Sequence, residues 1–135
     1  MRACFSLVAL LALLAACSRA TSAPIEVVPG QSIQLAERQS ARVSDSAVLV
    51  QFMGANDSRC PADVVCVWAG EAAVALWFSG AGSERADTLH LVMKRNAVTY
   101  GGYLFEAADL QPYPRSQEQN APKTLTLRVS RLPGA

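Results

Sequence analysis

Cys60 and Cys66 stand with five residues between them in DSRCPADVVCVWAGEA, residues 57 to 72. Two thiols at this spacing suggest redox exchange, metal ligation or a structural bridge. Redox couples favour Cys-X-X-Cys, where a neighbouring charge or a helix start lowers one thiol pKa. Five intervening residues, with Pro61 directly after Cys60, fit that pattern poorly. Zinc takes four ligands, of which two cysteines supply half. A copper-type carrier would recruit soft sulfur from Met53 and Met93, with His90 as the chain's one imidazole. His90 and Met93 are three apart, so on a strand they point to opposite faces. A disulfide asks for nothing more. Closing a seven-residue loop is worth roughly 2–2.5 kcal/mol in the chain-entropy model. A structural disulfide is therefore expected, with no metal and no cofactor.

Charged and aromatic residues flank the two cysteines. Arg59 and Glu71 carry opposite charge and are expected to pair across the bridge, while Asp57 and Ser58 cap backbone donors in the turn. Trp68 is expected as a lid on the core, because large aromatics mostly pack. Exposed, it would be an anchor, since tryptophan and arginine are enriched in binding hot spots. Arg59, Trp68 and Glu71 form the candidate binding surface. A second candidate is the aromatic stretch Tyr100 to Tyr103 together with Tyr113.

Catalytic machinery is not legible. A nucleophile needs a base within hydrogen-bond reach, and His90 is expected to point outward from a strand. There is no G-x-S-x-G elbow, phosphate loop or H-E-x-x-H motif. A small envelope hydrolase built on paired carboxylates is a rival, but no spacing singles out two of the eleven acidic residues. No catalytic residue is assigned.

The elements that must position these residues read as strands. In AVLVQFM, Val48, Val50 and Phe52 share one face, with Leu49, Gln51 and Met53 on the other. EAAVALWF sets Ala72, Val74, Leu76 and Phe78 together. DTLHLVMK sets Leu89, Leu91 and Met93 inward, and TLTLRVSR sets Leu125, Leu127 and Val129 inward. Ile33 and Leu35 share a side in SIQL. This is period two throughout. EAAVALWF has helical propensity in its alanines, but its aromatic pair and flanking glycines favour a strand. Turn clusters at 79–83, 94–96, 101–102 and 111–114 separate the runs, and RSQEQNAPK, 115–123, reads as an exposed loop. Such a series predicts an all-β chain, a single antiparallel β-sandwich, Ig-like or similar, with one short disulfide-closed loop.

At the amino end, MRACFSLVALLALLAAC gives Arg2, then an apolar run from Cys4 to Leu14. A run this short is an export signal rather than a spanning helix, which needs ~20 apolar residues. Leu14-Ala15-Ala16-Cys17 resembles the lipobox of bacterial lipoproteins. That resemblance implies a lipidated Cys17, carrying a diacylglycerol and a third acyl chain such as palmitate. Ordinary cleavage near Ala20 is the rival reading. Ser18, rather than aspartate, favours the outer over the inner membrane by the same resemblance. Two or more acyl chains make a stable anchor.

With Cys4 leaving in the signal and Cys17 lipidated, Cys60 and Cys66 remain as one pair in an oxidising compartment. The expected organisation is a signal at 1–16, lipidated Cys17 and a short tether at 17–30, and a β-sandwich domain at 31–135. Loss of Arg2 leaves 11 basic against 11 acidic side chains. A balanced chain with no basic tract offers nothing to nucleic acid.

QSIQLAERQSARV, VLVQFMGANDSRCP, VVCVWAGEAAVAL, GGYLFEAADLQPYP and TLTLRV together resemble a group of small bacterial envelope proteins sharing DSRCP, a few residues, then C-x-W-x-G-E/N-A. The likeness runs over roughly residues 31 to 130 and is most specific at 57 to 72. It implies a compact all-β domain and no particular activity. Glu37-Arg38 departs from it, where such proteins often place a glycine before the glutamine. The expected function is a lipid-anchored cell-envelope protein acting as a binding or structural module. Its partners would be the membrane, through Cys17, and an envelope protein or glycan. A copper-type carrier, or a thiol-redox protein using Cys60 and Cys66, is the rival from another class.

Overall fold

Alternation carries the fold. In AAVALWFS, Ala72, Val74, Leu76 and Phe78 are buried, while Trp77 between the last two faces outward. Each strand buries one such row, so two sheets must meet face to face. The computed structural model describes residues 22–118 and 120–134. The signal at 1–16 and Cys17 lie outside the described residues.

Nine strands follow in order: β1 (Ile25–Val27), β2 (Ser32–Ala36), β3 (Ser40–Val43), β4 (Leu49–Asp57), β5 (Ala72–Ser79), β6 (Arg85–His90), β7 (Ala97–Tyr100), β8 (Tyr103–Gln111) and β9 (Thr124–Arg131). They form a five-stranded sheet, β1-β3-β4-β5-β6, and a four-stranded sheet, β2-β9-β8-β7. The expected all-β sandwich is the fold observed. One pair departs from antiparallel order: β1 runs parallel to β3, with Ile25 level with Ala41. The chain crosses to the second sheet as β2 and returns, so β1 and β3 point the same way. Among the described residues no helix is long and apolar enough to cross a membrane.

The core lies between the sheets, with Phe52, Phe78, Phe105, Leu35, Leu76 and Leu127 fully enclosed. The Phe78 ring lies 5.0 Å from Phe105 and 5.2 Å from Tyr100, centroid to centroid. Each such side chain contributes roughly 1.5–3 kcal/mol on burial. The inward rows expected for β4, β5 and β9 are all buried.

Several expectations need correction. β1 begins at Ile25, inside the stretch read as tether, because Val27 belongs to the core. β4 runs past Met53 to Asp57, with a register shift between Phe52 and Gly54 that lets the strand continue. β6 stops at His90, where a bridge to Arg95 closes a turn; Leu91 is half-buried and Met93 is exposed rather than inward. Tyr100 and Tyr103 are buried around the turn between β7 and β8, so they form no surface with Tyr113.

Alternating strand direction sorts the connections between two ends. Turn 37–39, connection 58–71, turn 91–96 and segment 112–123 gather at one, the disulfide end. Segments 28–31, 44–48, 80–84 and 101–102 lie at the other. Tyr113 is at the disulfide end, and Tyr100 and Tyr103 are at the opposite one.

Candidate functional site

The disulfide end is built on the last residue of β4. Asp57 is all but sealed from solvent, its side chain 2% exposed. A carboxylate there requires cations, and two supply them. Arg59 donates through Nε to Oδ1 at 2.8 Å and through Nη2 to Oδ2 at 2.7 Å. Lys123 donates from Nζ to the same Oδ2 at 2.7 Å. Both cations also reach carbonyls on the opposite sheet's side: Arg59 Nη2 donates to Leu110 O at 2.9 Å, and Lys123 Nζ to Pro112 O at 2.8 Å. The Arg59 guanidinium lies 4.3 Å from the Tyr113 ring centroid, a cation–π contact that covers it. Burial works to raise the Asp57 pKa, but the hydrogen bonds of Arg59 and Lys123 and the charge of Arg59 outweigh it and bring it down to about 2. The same carboxylate holds the Arg59 pKa above its ordinary value despite burial.

Above this cluster the connection continues as a narrow arm. Ser58 N donates to Glu71 O at 2.7 Å and Cys60 N to Ala69 O at 3.0 Å. Gly70, at φ 70°, lets the returning chain pass, since a Cβ there would collide with the Ser58 carbonyl oxygen. The Cys60–Cys66 disulfide closes the arm's tip, as expected. Ala62 N donates to Pro114 O at 3.0 Å, and the Asp63 carboxylate accepts from Ser116 N at 2.9 Å and from the Ser116 hydroxyl. The tip is thereby braced against segment 112–118.

Arg59 and Glu71 do not pair. Arg59 is buried on Asp57, because bidentate binding to a sealed carboxylate outcompetes an exposed partner. It is therefore support, not surface. Glu71 turns instead to turn 91–94: Oε1 accepts from Ala72 N at 2.7 Å and Val92 N at 2.9 Å, and Oε2 from Met93 N at 3.1 Å. Partial desolvation opposes its ionisation, but these three donors prevail and its pKa lies below the usual carboxylate value. Asp57 and Ser58 do cap the turn, Asp57 Oδ1 accepting from Arg59 N at 3.3 Å and Ser58 Oγ from Glu71 N at 3.2 Å.

Trp68 is no lid. Its surface is 82% exposed, beside Val67 at 92% and Val65 at 101%. The arm lifts it clear of the sheets, so no core lies within its reach. Val64, Val92, Met93 and Tyr113 are exposed at the same end. His90, at the end of β6, has a buried Nδ1 without a hydrogen-bond partner. Among the described residues, no three histidine, cysteine, aspartate or glutamate side chains converge as metal ligands do.

Four contributors were not singled out from the sequence. Lys123 sits in a polar stretch read as exposed loop, and nothing local marks it as buried. Val64, Val65 and Val67 did carry a signal: VVCVW lies largely inside a disulfide-closed loop too small to enclose its own apolar side chains. Family models, curated proteins and solved structures were each compared with the chain, and none matches.

Proposed function

We propose that this chain is a lipid-anchored module of the bacterial cell envelope that acts by binding through its disulfide end. The observation that carries the reading is the exposure of Trp68 with Val65 and Val67 on a braced loop. Trp68, Val65 and Val67 lie within four residues and are each held almost wholly in water, as at an interaction surface, and a rigid loop loses little entropy on binding. The sealed Asp57–Arg59–Lys123 cluster and the Glu71 clamp supply that rigidity from beneath. The anchoring half rests on the lipobox-like LAAC at 14–17, with the outer membrane favoured by Ser18.

The test is the intact mass of the chain extracted from membranes, before and after reduction. A triacyl increment on Cys17, and a gain of two hydrogens on reduction, are the expected results. Recovery in the soluble fraction with an unmodified Cys17 would overturn the anchored reading.

A further inference from the structure

The direction in which the chain enters the sandwich bears on what the disulfide end touches. Ile25 is level with Ala41, and Ala41 with Val50. β1 runs opposite to β4, so the chain preceding Ile25 leads toward the Asp57 end of β4. That is the end carrying the disulfide loop. β1 and β4 are two strand spacings apart, roughly 10 Å. From Ile25 back to Cys17 is eight residues, at most about 28 Å when fully extended. From Val50 to Asp57 is seven, or about 23 Å of strand. The tether's full reach therefore brings Cys17 about level with the root of the loop, and the tip projects further.

We propose that the bilayer holding the Cys17 lipid is itself the occupant of this surface, with Trp68, Val65 and Val67 inserting into its interfacial layer. This rests on the anchored reading above. Val92 and Met93 flank the wedge, and Glu71 locks their turn to the base of the arm. The chemistry fits the interface. Tryptophan settles at headgroup depth with its apolar body inward and its N–H in water. Lys94 and Arg95, exposed directly after Met93, are placed to meet lipid phosphates while their stems cover apolar surface. Seven of the ten large apolar side chains exposed among the described residues, Val64 and Tyr113 included, lie at this end. Of these ten, only Val28 lies at the opposite end. Such a wedge binds weakly alone, but the anchor makes its contact intramolecular and raises its effective concentration. The domain then stands with its disulfide end on the membrane instead of swinging on its tether.

The experiment uses the full lipidated chain in phosphatidylethanolamine–phosphatidylglycerol vesicles with acyl chains brominated near the headgroup. Trp77→Phe leaves Trp68 as the sole indole, because the chain has two tryptophans. Bromolipid should quench its emission about two-fold or more, and iodide quenching should fall several-fold relative to the protein in detergent, as interfacial burial requires. Val65→Asp, in the same background, should restore iodide access while the protein still floats with vesicles. A floating, lipidated protein whose Trp68 ignores bromine and stays open to iodide would overturn the docking alone. Trp68 open to iodide in vesicles, yet crosslinked to one protein in intact cells, would assign the surface to that protein instead. A chain that neither floats nor carries lipid would overturn the anchored reading, and the docking with it.

Discussion

Asp57 and Lys123, 66 positions apart in sequence, meet at 2.7 Å between Oδ2 and Nζ where neither side chain is more than 5% exposed. This contact ties the end of β4 to the start of β9, across the two sheets. Arg59 shares the same oxygen, so one carboxylate neutralises one of two buried cations and the carbonyls of Leu110 and Pro112 solvate the rest. The disulfide loop thus stands on an ionic keystone rather than on packed hydrocarbon.

Removing the shared anion should cost far more than removing Lys123, the cation with fewer contacts. Asp57→Ala leaves two buried charges facing each other, a loss of roughly 3–5 kcal/mol for a broken buried pair. Lys123→Met keeps the bidentate Asp57–Arg59 pair and replaces a buried ammonium with a chain of similar length, so it should cost about 1 kcal/mol or less. Urea unfolding of both variants checks the ranking. Equal losses would mean that the cluster is not a shared-anion lock.

Acid should act through the same residue. The Asp57 pKa is about 2 in the folded chain, below the ordinary aspartate value of 3.8. A depressed carboxylate stabilises the fold above its unfolded pKa, and that stability is lost as pH falls through the folded one. Asp57 therefore contributes about 2 kcal/mol above pH ~4, and this fades between about pH 4 and pH 2. Glu71, also lowered, adds a loss of the same sign. In Asp57→Asn the acid-dependent loss should shrink by about 2 kcal/mol. Thermal midpoints of both proteins between pH 2 and 6 measure it, and parallel curves would remove Asp57 as the source.

Much of the fold was legible and little of the site was. Alternation in EAAVALWF and TLTLRVSR is a local signal, and the sheets follow it residue by residue. The limits of β1 and β6 were not readable, because a three-residue edge strand and a strand closed by a single bridge depend on partners distant in sequence. The Arg59–Glu71 pairing was inferred from proximity in sequence. Lys123 could not be foreseen beside Asp57, since only the β8–β9 register, Gln111 opposite Thr124, brings it there. Trp68 failed for another reason. The tendency of tryptophan to pack assumes a core within reach, and the arm from Ser58 to Gly70 carries it away from one.

Glu71 should prove to be the clamp between the arm and turn 91–94. Glu71→Gln keeps Oε1 for Ala72 and Val92 but sets an amide donor against the Met93 N–H, which Oε2 now accepts at 3.1 Å. The bond lies in solvent, where water can take up the freed donor, so its loss is that of an ordinary hydrogen bond, roughly 0.5–1.5 kcal/mol. Global stability should change little, since the turn can open locally. Hydrogen exchange at Met93 should quicken several-fold, up to about ten-fold, with Val92 affected less. Unchanged exchange at Met93 would show that the turn holds without the carboxylate.

Trp68 and Arg59 should separate into surface and support. Both flank the same disulfide and both are hot-spot residue types, but one is 82% exposed and the other 8%. Trp68→Ala removes no buried contact, so the unfolding midpoint should stay within about 0.5 kcal/mol of the parent. Arg59→Ala uncovers a buried carboxylate, strips the Tyr113 ring of its cation and frees the Leu110 carbonyl, so several kcal/mol should go. The disulfide gives an internal control. Cys60→Ser with Cys66→Ser should lose roughly 2–2.5 kcal/mol, the cost of reopening a seven-residue loop. Added to Trp68→Ala the loss should be the same, because an exposed side chain couples to nothing the bridge holds. Denaturant unfolding of the four variants reads all of this at once. A large loss in Trp68→Ala would mean that the indole folds down onto the arm in solution and that the disulfide end presents no anchor.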